Sequence, residues 1–144
     1  NRGMIEAWKM AEEKNRNGCN YDYYLWLNDD TFIYKDCIAS LLRVSLLKKN
    51  RTIVLGSTVD TQTRSKLTYG GRDTTGKVAR PSSDDSPVPV IMMNGNIVLV
   101  PHSVYKKLGT LDPYYTHARG DFDYGLRARK AGLELWQVGH PLGE

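Results

Sequence analysis

Three places in the chain carry side chains able to do chemistry: Asn28-Asp29-Asp30, Gly120-Asp121-Phe122-Asp123 and His140. The first follows Tyr23-Tyr24-Leu25-Trp26-Leu27, an unbroken aromatic and aliphatic run that reads as a strand buried on both faces. Carboxylates at the end of such a strand project from the sheet edge, where open α/β sheets bind ligands. Hard oxygen donors there suit Mg²⁺ or Mn²⁺, which share their shell with water and substrate phosphates. In the second place two carboxylates open a helix, where backbone N–H groups favour their ionised forms and pre-orient a general base. The third, an imidazole just past the last strand, is a competent ligand for Mn²⁺-type metals. Plainer roles suit the same residues. Asn and Asp start turns, Asp121 is a ready N-cap, and a lone His is commonly structural.

The elements that must hold these groups alternate in type. Apolar residues at Met4, Ala7, Trp8 and Ala11 predict an amphipathic helix over 4–14, stopped by Asn15-Arg16-Asn17-Gly18. After the 23–27 strand, residues 34–49 read as a helix burying Ile38, Leu41, Leu42 and Leu46, with a basic last turn. Residues 52–59 form a β-branched strand. Helices alternating with buried strands point to βαβ units and a largely parallel sheet. Residues 60–89 are polar, with one ordered piece around Leu67–Arg72, and a loop this long is a lid or a disordered segment. Strand signals resume over 90–100, split by Asn94-Gly95-Asn96. A short helix over 101–108, a loop with Tyr114, Tyr115 and His117, a helix over 121–131 and a strand over 133–138 complete the chain.

The 144 residues fit one domain, and 40% apolar content with three Trp and nine Tyr makes it globular. The net charge of +4 is scattered, with no basic block to serve as a nucleic-acid arm, so anionic small molecules or lipid headgroups are the expected partners rather than nucleic acid. Cys19 and Cys37 lack metal-ligand spacing and are expected as reduced thiols of a cytoplasmic protein. No apolar run approaches the length of a bilayer span, and no signal peptide is visible.

In their order these features resemble the inverting family 2 glycosyltransferases of the GT-A fold. The matching pieces are Leu27-Asn28-Asp29-Asp30-Thr31 for the metal motif, Met93-Asn94-Gly95-Asn96, Gly109-Thr110-Leu111-Asp112, Gly120-Asp121-Phe122-Asp123, and Leu126 to Gly132 followed by a strand and His140. The resemblance implies an α/β fold of the GT-A, Rossmann-like kind, with a mixed, mostly parallel sheet flanked by helices. It implies transfer of a sugar from a nucleotide-diphosphate sugar to an acceptor hydroxyl with inversion, in cell-surface polysaccharide or glycolipid synthesis. Asp30 and His140 would bind the divalent metal, Mn²⁺ or Mg²⁺. Asn28, Asp29 and Gly95 would contact donor or sugar, Asp121 would be the general base, and Asp123 and Arg127 would support the sugar site.

Two departures accompany the match. Asn28 stands where many relatives have Asp, and nothing before Asn1 corresponds to the family's nucleotide-gripping strands, so the chain reads as a single partial domain, 1–144, truncated at its N-terminus. Associations expected with it are a saccharide or lipid-linked acceptor, peripheral contact with the inner face of a membrane, and a homodimer through exposed sheet edges. Two rivals remain open: a non-catalytic sugar- or nucleotide-binding module of the same fold, and a nucleotidyltransferase, for which no Gly-rich triphosphate loop is present. Acceptor choice would be set by residues 60–89 and by the loop 112–119.

Overall fold

A computed structural model of the chain describes residues 1–116 and 118–144; His117, expected in the acceptor loop, lies outside them. The first helix, α1 (Arg2–Arg16), buries Ile5 and Trp8 and packs Met4 and Ala11 against the same cluster, whereas Ala7, expected in the stripe, is exposed and Ile5 takes its place. Strand β1 (Tyr23–Leu27) is where expected but not buried on both faces. Tyr24 and Trp26 point into the core, while Leu25 and Leu27 stay partly in solvent, because the helix on their side of the sheet lies mainly over the inner strands and not over this edge strand.

Helix α2 (Cys37–Leu47) is shorter than expected and turned differently. It buries Cys37, Ser40, Leu41, Val44 and Ser45, and leaves Ile38 and Leu46 exposed. Small side chains let its backbone settle close on the sheet, and that close approach outweighs burial of the larger aliphatic row. Strand β2 (Thr52–Thr58) is buried along its whole length, as a central strand should be. After β3 (Val88–Val90) and β4 (Ile97–Pro101) come α3 (His102–Leu108), α4 (Gly120–Lys130) and β5 (Glu134–Gly143).

The strand order is β1-β4-β2-β5-β3. Among the described residues only β2 and β5 pair in parallel; β1–β4, β2–β4 and β3–β5 are antiparallel. The expected mostly parallel, Rossmann-like GT-A sheet is therefore corrected to a mixed sheet. The reason lies in β4. The crossover through α2 does carry the chain from β1 to a strand running the same way, but β4 inserts between them in the opposite direction and takes both as partners. No local pattern announces such an insertion.

The long polar segment between β2 and β3 is not free of the sheet. Fully buried Gln137 of β5 accepts from the Gly71 N–H at 2.8 Å and donates to the Ala79 carbonyl at 2.9 Å. Arg72 exchanges backbone hydrogen bonds with Ile91 and Met92, and Thr58 with Thr68 and Tyr69. Isolated bridges replace the strand expected near Leu67. A buried amide with both ends satisfied fixes the loop in one place.

Two cores result. One face of the sheet carries α1, α3 and α4 over Tyr24, Trp26, Ile53, Leu55, Val98 and Leu135. The other carries α2 over Val54, Ile97, Leu99, Val138 and Leu142. Both cysteines are free, Cys19 exposed and Cys37 buried, and burial pushes the Cys37 thiol up to about 11. Among the described residues no helix is long and apolar enough to cross a membrane.

Candidate functional site

Antiparallel pairing of β1 with β4 has a consequence at its end. Leu27 sits opposite Ile97, so the chain leaving β1 meets the link that enters β4. Asn28 donates its backbone N–H to the Asn96 carbonyl at 3.1 Å and its side-chain amide to Asn96 Oδ1 at 3.2 Å. The strand arrangement that overturns the expected fold thus brings Asn28-Asp29-Asp30 against Asn94-Gly95-Asn96.

Helix α4 supplies the third wall. It begins one residue earlier than expected, with Arg119 in the N-cap position in the left-handed region at φ 68°, so Asp121 lies within the first turn and is not the cap. Its carboxylate reaches across: Oδ2 accepts from the Gly95 N–H at 3.0 Å and Oδ1 from the Phe122 N–H at 2.8 Å. Two backbone donors fix its orientation, and an ionised carboxylate has further lone pairs free for a ligand.

These walls enclose a cavity of about 300 Å³ lined by Asn1, Trp26, Asn28, Asp30, Tyr69, Asn94, Gly95, Asn96, Ala118, Arg119, Asp121 and Phe122. Gly95 cannot be larger, because a Cβ there would stand 2.6 Å from the Trp26 ring. Packing on Trp26, together with the N–H given to Asp121, accounts for this glycine. A second cavity of about 370 Å³ shares Asp30, Tyr69 and Asn96 and continues past Thr31, Thr58, Asp60, Thr61, Gln62, Thr68 and Glu144. There the Thr63 and Lys66 N–H groups hold the Asp60 carboxyl well below the usual carboxylate range.

The structure brings together Asn28, Asp30, Gly95 and Asp121 and does not bring the other expected residues to them. Asp29 is exposed and lines neither cavity. Asp123 and Arg127 form an ion pair at 2.8 Å, and Arg127 also donates to the Leu108 and Thr110 carbonyls, both at 2.9 Å. Its donors are committed to tying the 108–110 turn to α4, so these two residues brace the site instead of lining it.

His140 is the clearest departure. β5 does not stop at Val138 but runs through two register shifts against β2 to Gly143, which places His140 inside the strand. Its Nε2 lies 3.1 Å from Asp36 Oδ2 and 3.4 Å from Ser40 Oγ, and its Nδ1 lies 3.6 Å from Asp85. It lines neither cavity that Asp30 lines. Asp30 and His140, expected around one metal, therefore share neither of these cavities.

Sequence reasoning missed Asn1, Tyr69, Asn94, Asn96 and Phe122 as cavity residues. The signal for two of them was the amide pair flanking Gly95 between apolar segments; Tyr69 and Asn1 arrive through long-range folding. Asn1 donates to the Tyr115 carbonyl at 2.7 Å and so joins α1 to the loop before α4.

The oxygen donors of the cavity bear on whether a cation fits. Among the described residues no group of three or more His, Cys, Asp or Glu side chains stands ready to hold a metal. Asp30 is present, and Asn94 Oδ1 is buried without a hydrogen-bond partner. That set does not fit a cation caged by protein. It fits one that takes most of its shell from phosphate oxygens and water, as Mg²⁺ and Mn²⁺ do. No family model matches the chain, and comparison with curated proteins finds no match.

Proposed function

We propose that the chain transfers a sugar from a nucleotide-diphosphate sugar to an acceptor hydroxyl with inversion. The observation that carries this reading is that Asp30 and Asp121, distant in sequence, line one oxygen-rich cavity. Asp121 is held by two N–H groups in a fixed direction and takes the proton of the incoming hydroxyl as general base. Asn28, Asn94 and Asn96 offer neutral amides suited to sugar hydroxyls, and Tyr69 presents a half-exposed ring at the junction of the two cavities. Arg127 and Asp123 keep α4 in register so that Asp121 faces Gly95. A divalent cation bound at Asp30 would neutralise charge gathering on the departing diphosphate. Attack on the side of the anomeric carbon opposite the leaving group inverts it in a single displacement.

The spare protein donor set for a metal favours one second reading, a sugar-binding module without turnover. Both are tested by supplying a panel of nucleotide sugars with Mn²⁺ and candidate acceptors and measuring nucleoside diphosphate release. Transfer predicts metal-dependent release that falls by about 10²-fold or more in Asp121→Asn with the fold intact. Metal-independent sugar binding, with no release and no effect of Asp121→Asn, would select the binding module.

A further inference from the structure

Helix α2 carries one charged residue, Arg43, in eleven, and large aliphatics lie on its uncovered side as well as its covered one. Its inner side, Cys37, Leu41 and Val44, packs on the sheet. On its outer side Ile38, Leu46 and Leu47 are 41%, 61% and 64% exposed. Ile38 and Leu46 lie eight residues apart, about 12 Å along the axis, with the partly buried Leu42 between them. A helix with this composition is ordinarily buried. We infer that the outer side of α2 is a docking surface for a bilayer carrying anionic lipid headgroups.

Charge selects the occupant. Lys35 precedes the helix, Arg43 projects from its outer half, and Lys48, Lys49 and Arg51 follow it; all but Lys48 are exposed, and Lys48 lies over the Trp136 ring. Three carboxylates stand nearby, fewer than the five basic groups: Asp36, the N-cap, pairs with His140, and Asp84 and Asp85 line a cleft that Arg43 and Leu47 also line. A second copy meeting this surface across a two-fold axis would bring Arg43 and the lysines toward their own likenesses. An anionic headgroup layer instead takes the basic rim while the leucines enter the acyl boundary. The inference stands apart from sugar transfer and does not need it.

The test is co-sedimentation of the intact chain with phosphatidylcholine vesicles and with phosphatidylcholine–phosphatidylglycerol vesicles. Binding to the anionic vesicles that weakens with salt is expected, with little binding to the neutral ones. Leu46→Ser with Leu47→Ser should lower partitioning roughly tenfold or more, and Arg43→Glu with Lys49→Glu should do the same. Met10→Ser, on the opposite helix layer, should change nothing. Each is a surface change, so thermal unfolding should stay near that of the parent, and diphosphate release with a soluble acceptor should be unchanged. The inference is overturned if neither vesicle binds, if neutral and anionic vesicles bind alike, or if the leucine variant binds as before. It is also overturned if sedimentation velocity shows a dimer that the leucine variant abolishes while vesicles are ignored, since a second copy then covers α2.

Discussion

The two faces of the sheet are built by different means. On one, three helices meet around Trp8, whose ring contacts those of Tyr24, Trp26, Tyr105 and Tyr124 at centroid distances of 5.6 to 6.3 Å. Polar clasps complete that face. Glu12 of α1 accepts from Tyr24 and faces His102 Nε2 at 2.7 Å, and Arg127 ties α4 to the turn after α3. On the other face a single helix lies close on the sheet through Cys37, Ser40 and Ser45. The crowded face needs clasps because three separate helices must each be held in place, one of them carrying Asp121. The sparse face needs only proximity, and it leaves an aliphatic row outside.

Breaking the crowded face should have the largest effect. Trp8→Ala removes the shared ring and should cost about 3–5 kcal/mol in urea unfolding. Leu41→Ala on the sparse face should cost about 2–4 kcal/mol and leave the Asp121 cavity unchanged. Equal losses of activity in the two variants would dissolve the contrast.

A smaller effect is expected from the clasp beside the cavity. Arg127→Ala leaves the Leu108 and Thr110 carbonyls and Asp123 without their donor, and should cost about 2 kcal/mol. It should also lower turnover by moving the start of α4. Arg127→Lys, which cannot reach all three acceptors at once, should recover only part of either loss.

Acid should loosen the same face next. Burial works to raise the Glu12 carboxyl, but hydrogen bonds from Tyr24 and His102 outweigh it and hold it below its ordinary value of 4.5. A depressed value means the clasp contributes fully above the unfolded carboxylate range and is lost as pH falls through the folded value. Wild type should therefore lose stability more steeply below about pH 4.5 than Glu12→Gln; parallel curves would remove the clasp from the account. The mildest test is thiol labelling. Cys19 should react at neutral pH, and Cys37, buried under α2 with its thiol raised to about 11, should not until unfolding.

Much of this architecture was legible locally. β1 has the bounds its aromatic run announces, and α4 differs by one residue at each end from its pattern. The turn of α2 was not legible, because counting large aliphatics favours Ile38 and Leu46, whereas the sheet selects the small residues that permit close approach. The strand directions were not legible either: β4 reads the same whether it runs parallel or antiparallel, and only its partners decide. Of the residues that line the cavity, Asp30 and Asp121 were singled out through their surroundings in the chain. His140 was misplaced because Gly139 and Pro141 read as the end of β5, whereas the strand takes them up in two register shifts against β2 and continues to Gly143. Asn94 and Asn96 became visible once β4 was seen to lie beside β1.

The central claim is that Asp30 and Asp121 serve one ligand in one cavity. Its most direct test is an amide NMR titration of the chain with a nucleotide sugar and Mg²⁺. The account predicts that the Gly95 and Phe122 backbone amides and the Asn28, Asn94 and Asn96 side-chain amides shift together. Shifts confined to Ser40, Asp36 and His140, with those amides unmoved, would contradict it.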